Sequence, residues 1–141
     1  MISLTSVAEC PVFRIRPGDT NKFVLLCEPA AHGCAPLQVI EIFDEGGATP
    51  PNVHTVAVES FFVLHGHGVA ECGGHSHALG QGSVLIVGPG EMHVVRNTGP
   101  GRLYCLTTLM PDEELGALIH GGVPDRLDAE DVAVLCGGSR P

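Results

Sequence analysis

The sequence predicts an all-β fold, a sandwich or barrel of short strands with a short helix at its C-terminal end. Apolar runs recur every eight to twelve residues or so from residue 54 onward, at 54–58, 59–65, 69–72, 75–79, 83–87, 93–96 and 102–109. Glycine-rich punctuation separates several of them: Gly66-His67-Gly68, Gly73-Gly74, Gly80-Gln81-Gly82, Gly88-Pro89-Gly90 and Asn97-Thr98-Gly99-Pro100-Gly101. No strand-helix-strand alternation of the kind that builds a parallel sheet is present.

Two further strands precede this series. Lys22 to Cys27 and Leu37 to Phe43 are rich in Val, Ile, Leu and Phe, and the turn-prone stretch Glu28 to Pro36 divides them. Residues 44–53 read as a loop. After the last strand, Pro111 can open a helix with Asp112, Glu113 and Glu114 at the positive end of its dipole, and Gly121-Gly122 can stop it. Leu115, Leu118 and Ile119 then share one apolar stripe. A second helical turn is expected over 128–135, and Cys136 to Pro141 reads as a mobile tail. No internal repeat or low-complexity segment interrupts the chain.

At 141 residues the chain reads as one domain, 1–141, able to bury roughly two-thirds of the surface its unfolded form exposes. Its 44% hydrophobic and 16% charged residues exclude a disordered chain, and 19 Gly with 11 Pro favour turns over long helices. The formal charge of -9 repels phosphate backbones and anionic lipid surfaces, which argues against nucleic acid and membrane partners. The N-terminus lacks a basic segment followed by an apolar one, and no stretch approaches the ~20 apolar residues of a membrane helix. The expectation is a soluble, unexported, cytoplasmic protein. The six cysteines show no paired C-x-x-C spacing and read as free thiols, and His32-Gly33-Cys34 closes no tetrahedral zinc site. No G-x-S-x-G, P-loop or dinucleotide fingerprint supports hydrolase or nucleotide chemistry.

The segment that carries chemistry begins at Gly46. Five residues separate it from Asn52-Val53-His54, four more lead to Glu59, and six to Gly66. After a gap of 15 residues come Gly82, Gly88-Pro89-Gly90, His93 and Asn97. Residues 52 and 54 share a face on a strand, while Glu59 has the opposite parity and needs a bend or bulge to join them. His93 comes from a later strand, and a closed barrel brings such positions to one axis. Imidazole nitrogens and a carboxylate oxygen suit a divalent transition metal with open positions for substrate, water or dioxygen. A hydrogen-bonded polar core is the alternative for the two histidines.

These residues resemble the paired signatures of the cupin superfamily, G-x5-H-x-H-x(3,4)-E-x6-G followed by G-x5-P-x-G-x2-H-x3-N. Eight of the ten fixed positions agree, with every spacing intact. Asn52 stands where the family has its first metal-ligand histidine, and Gly88 where it has proline. The resemblance covers about residues 37–109, with 111–135 as a helical extension, and it implies a double-stranded β-helix or jelly-roll barrel holding a metal. The implied ligand set is Asn52, His54, Glu59 and His93. With Asn52 excluded, since a neutral amide oxygen is a weaker donor than imidazole, the rest form a 2-His-1-carboxylate set.

That composition favours Fe(II), with Zn, Mn, Ni or Cu as further candidates. The resemblance implies a dioxygenase-like, metal-dependent enzyme acting on a small organic molecule inside the barrel. The alternatives are a non-catalytic ligand-binding or sensor module, in which Asn52 marks a lost site, and a non-redox isomerase or lyase. Homodimerisation through edge strands is a further implication of the resemblance.

Several residues outside the motif could add to the site. His65 with His67, or His75 with His77, could bind metal from one strand face or replace the ligand missing at Asn52, although turn and edge histidines are usually solvated. Tyr104 is a candidate catalytic proton donor if it faces inward. Arg96 and Arg102 could hold an anionic substrate group, while Phe61, Phe62, Val63 and 84–87 could line an apolar cavity.

Overall fold

The computed structural model describes residues 2–137. Its elements are a 3-10 turn at Val7–Glu9, then β1 (Val12–Arg14), β2 (Asn21–Cys27), α1 (Pro29–His32), β3 (Leu37–Phe43), β4 (Val58–His65) and β5 (Gly68–Cys72). There follow β6 (His75–Leu79), β7 (Val84–Val87), β8 (His93–Asn97), β9 (Leu103–Met110), α2 (Leu115–His120), β10 (Val123–Pro124) and α3 (Ala129–Cys136). Seven strands form one sheet in the order β10-β1-β2-β3-β9-β4-β7, and three form a second in the order β6-β5-β8, all pairs antiparallel. This is the jelly-roll, double-stranded β-helix architecture. Isolated bridges Ala48↔Arg96 and Asn52↔His93 lay residues 48–52 along the free side of β8, so the expected loop partly continues the second sheet.

Strand alternation sorts the side chains. Phe43, Phe61, Val63, Val87, Leu103 and Cys105 turn inward to meet Ala70 and Val95 of the second sheet, while Leu37, Val39 and Leu109 on the same face pack with Ala57 and Ile119. The opposite face of the large sheet buries Val24, Ile40, Ile42 and Tyr104 under the N-terminal segment and α3. Both faces of β3 and β9 are therefore apolar, which is why these strands read as continuous hydrophobic runs. Gly66 closes the β4–β5 turn at φ 97°, where an added Cβ would stand 2.7 Å from the Arg102 carbonyl oxygen. Only glycine meets both conditions.

Three boundaries differ from the sequence reading. Of the runs expected at 54–58 and 59–65 only Val58–His65 forms a strand, and the N–H groups of Thr55 and Ala57 donate to the Glu113 carboxylate instead of to a neighbouring strand. The helix after Pro111 starts at Leu115, because Glu113 (φ 44°) and Glu114 (φ 64°) adopt left-handed backbone. Cys136 ends α3 by this account, so only 138–141 of the expected tail lie outside the described residues. The cysteines are unbridged, although Cys27 Sγ and Cys34 Sγ lie 3.1 Å apart. Among the described residues no helix is long and apolar enough to cross a membrane.

Candidate metal centre

His54, Glu59 and His93 converge as the motif spacing predicts, each offering one ligand atom, with these atoms all within 4.8 Å of one another. Among the described residues no other group of His, Cys, Asp and Glu gathers in this way. β4 supplies Glu59, which turns inward beside Phe61; β8 supplies His93; the irregular stretch before β4 supplies His54. That stretch is the bend the parity argument required. Glu59 Oε1 lies 2.8 Å from His93 Nε2 and 3.4 Å from His54 Nε2.

The far nitrogens of both rings face acceptors. His93 Nδ1 lies 3.0 Å from the Glu91 carbonyl oxygen, and His54 Nδ1 lies 3.5 Å from Glu113 Oε2. Protons on the Nδ1 atoms would leave both Nε2 lone pairs directed at the centre. Burial disfavours a charged His93, but the hydrogen bonds to Glu59 and to the Glu91 carbonyl outweigh it and raise the pKa of the ring. The site thus favours positive charge. His54 Nε2 is buried with no hydrogen-bond partner. A cation bound between the two Nε2 atoms and Glu59 would satisfy it. The residues present therefore fit a divalent metal.

Asn52 exchanges both backbone hydrogen bonds with His93, N–H to oxygen distances of 3.1 and 2.9 Å, so the two side chains share a face of the sheet. Its amide nitrogen donates to the Pro50 carbonyl oxygen at 3.2 Å. The register carries the same row onward, His93 opposite Cys72 and Cys72 opposite His75. A cleft of 350 Å³ borders this end of the row, lined by Glu71, Cys72, His75, Ser76, Met92, His93 and their neighbours.

Tyr104 is not brought to the cluster. It alternates outward on β9 and donates to Asp131 Oδ1 at 2.7 Å on the far face of the large sheet, where burial and the Asp131 charge raise its pKa. A proton donor at the centre would need the inward parity of Cys105 or Thr107. Arg102 is engaged by Asp128, Glu130 and Asp131, and Arg96 by Glu71, so both expected anion holders are committed elsewhere. His65 packs edge-on against the Tyr104 ring, and His67, His75 and His77 are exposed or lie at the turn, with none in the ligand group. Of the expected cavity wall, Phe61, Val63 and Val87 are core, whereas Phe62, Val84 and Ile86 face outward and are exposed. Asn97, the last motif residue, donates from Nδ2 to the carbonyl oxygens of Asp44 at 3.0 Å and Gly101 at 2.8 Å, tying two loops together.

Sequence reasoning missed two residues. Glu113 holds the stretch before β4, as described above. Glu41 is buried on the inward face of β3 and accepts from Asn21 Nδ2 at 2.8 Å. Burial, and then the charge of Glu59, push its pKa up to about 8, so the barrel interior holds a neutral carboxyl at neutral pH. Glu41 shares the parity of Leu37, Val39 and Phe43, but Ile40 and Ile42 make the other face of β3 apolar too, so the only signal was a carboxylate inside an apolar strand. Glu113 had no comparable signal.

The cupin-domain family model matches residues 39–109, just over half of the chain. The chain belongs to the cupin family. No curated protein matches it in sequence. Among solved structures, this cupin is similar to a predicted oxalate decarboxylase from Thermotoga maritima, with 21% identity over 77% of this chain and 99% of that one and a TM-score of 0.69. An RmlC-like cupin from Shewanella frigidimarina is 17% identical over 79% of this chain and 92% of that one, TM-score 0.65. An oxalate oxidase is 19% identical with a TM-score of 0.60; the match covers 71% of this chain and 55% of the oxidase. At these identities the likeness is one of fold.

Proposed function

We propose that this cupin is a metal-dependent enzyme of the dioxygenase type acting on a small organic molecule, with His54, Glu59 and His93 as ligands of a divalent ion. The observation that carries the reading is the unpartnered, buried His54 Nε2 facing Glu59. Fe(II) is the preferred ion on the 2-His-1-carboxylate composition, ahead of Zn, Mn, Ni and Cu. Such an ion supplies Lewis acidity and, if iron, one-electron chemistry with dioxygen.

The protein's own part is positioning and exclusion. Glu59 provides the negative charge, the Glu91 carbonyl and Glu113 face the outer nitrogens of the two rings, and Phe61 with Val87 keep the inner wall apolar. One of the similar structures is named a predicted oxalate decarboxylase and another an oxalate oxidase, which supports a small carboxylate-bearing substrate class. A non-catalytic ligand-binding role is favoured by Asn52, whose amide is turned to the Pro50 carbonyl. The six unbridged cysteines support a reducing, cytoplasmic setting. The exposed apolar strip of Val58, Phe62, Val84, Ile86 and Met110 supports a homodimer.

Metal content tests the reading. Wild type, His54→Ala and His93→Ala are expressed in metal-supplemented medium and assayed by elemental mass spectrometry. Wild type should carry about one metal per chain and the variants far less; a wild type without stoichiometric metal sinks the proposal. In the same series Asn52→His should tighten binding, and an unchanged affinity places residue 52 outside the ligand set. Oxygen consumption on small carboxylic acids, thiols, phenols and diketones then separates redox from non-redox chemistry.

A further inference from the structure

The chain beyond β9 bears on the metal centre. Glu113 lies four positions past the end of the segment matched by the family model, yet its carboxylate reaches back to the stretch before β4. Oε1 accepts the Thr55 N–H at 3.2 Å and Oε2 accepts the Ala57 N–H at 2.9 Å, two backbone donors that no strand pairing satisfies. Ala57 is fully buried, so its N–H needs this acceptor. The same Oε2 lies 3.5 Å from His54 Nδ1. Glu113 and Glu114 both have positive φ, a conformation that residues with side chains seldom adopt. Such strain persists only where surrounding contacts over-determine it.

Those contacts are present on both sides. Behind the strained pair, Leu115 and Ile119 of α2 pack into the same core cluster as Ala57. At the far end of α2, His120 Nε2 lies 2.6 Å from Glu28 Oε1. The helix is thus pinned at its end and along its face, and the carboxylate at its start is held under the stretch that carries His54.

We propose that Glu113 is a positioning residue for the metal centre, its carboxylate fixing the 54–57 backbone and the Nδ1 side of His54 so that Nε2 points at Glu59 and His93. This rests on the metal reading above. Carboxylate partners of ligand histidines set ring orientation and tautomer, and losing one typically weakens metal affinity about 10–100-fold. Glu113 would act through His54, with no contact to the ion.

The test uses the full chain, stripped with chelator and titrated with Co(II), following affinity by calorimetry and ligand geometry by the visible absorption of the bound ion. Wild type, Glu113→Gln, Glu113→Ala, His54→Ala and the double variant His54→Ala/Glu113→Gln are compared, with circular dichroism as a check on folding. Glu113→Gln should keep the fold, weaken Co(II) binding about 10–100-fold and alter the absorption bands. In the His54→Ala background the same change should cost little further affinity, because its route of action is gone. Unchanged affinity and bands in Glu113→Gln and Glu113→Ala, with His54→Ala still impaired, overturn the inference and leave the metal reading standing. Independent, additive losses in the double variant also overturn it, because they signify general destabilisation. A wild type that binds no Co(II) ends both.

Discussion

Glu41 shows how a single residue can escape a reading that places its neighbours correctly. The strand over Leu37 to Phe43 is legible from composition, but both its faces are apolar, so alternation does not say which side Glu41 takes. The same ambiguity on β9 left the face of Tyr104 open. His54, Glu59 and His93 were legible because their separations resemble the cupin signatures, whereas Glu113 depends on a left-handed turn that no residue type announces. Glu41 carries a prediction for the metal-free protein. Its folded pKa of about 8 lies above the ordinary 4.5, so the folded state retains a proton that the unfolded chain has lost. The stabilising difference is whole below about pH 4.5 and declines, by up to about 1.4 kcal/mol per pH unit, as the pH rises to about 8. Glu41→Gln should remove that slope. Urea unfolding at several pH values across this range checks it, and parallel slopes in variant and wild type refute it.

Among the elements, α3 was legible as a helical turn, but its anchor was not. Asp131 is fully buried, caps the helix reciprocally with Asp128, accepts from Tyr104 and Arg102, and pairs with Lys22. These partners come from β2, β9 and the turn before β9, so the connection is long-range and leaves no local pattern. Asp131→Ala strands the buried Lys22 ammonium and should cost about 3–5 kcal/mol, read from urea unfolding. A loss below about 1 kcal/mol would show that the network is no more than surface ion pairing. Because this cluster occupies the opposite face of the large sheet from His54 and His93, metal affinity in the folded variant should be unchanged.

For the molecule as a whole, the register Val58↔Met110 and Phe62↔Val84 gathers Val58, Phe62, Val84, Ile86 and Met110 on the outer face of β4, β7 and β9. An exposed apolar strip beside the free edge of β7 suits pairing with a second copy of the chain about a twofold axis. Light scattering should give a dimeric mass for wild type and a monomeric one for Ile86→Glu, and a monomeric wild type excludes this face as an interface. The strand order has a temporal side as well. Phe13 pairs with Pro124, and β3 pairs with β9, so the large sheet joins chain segments made early and late in synthesis. Pairings this distant in sequence form slowly. β1, β2 and β3 can pair with one another as they emerge from the ribosome, but the edge of β3 that takes β9 and the edge of β1 that takes β10 stay open to aggregation until those later strands are made. Expression yield should therefore depend on how well these early edges are shielded from neighbouring chains during that wait.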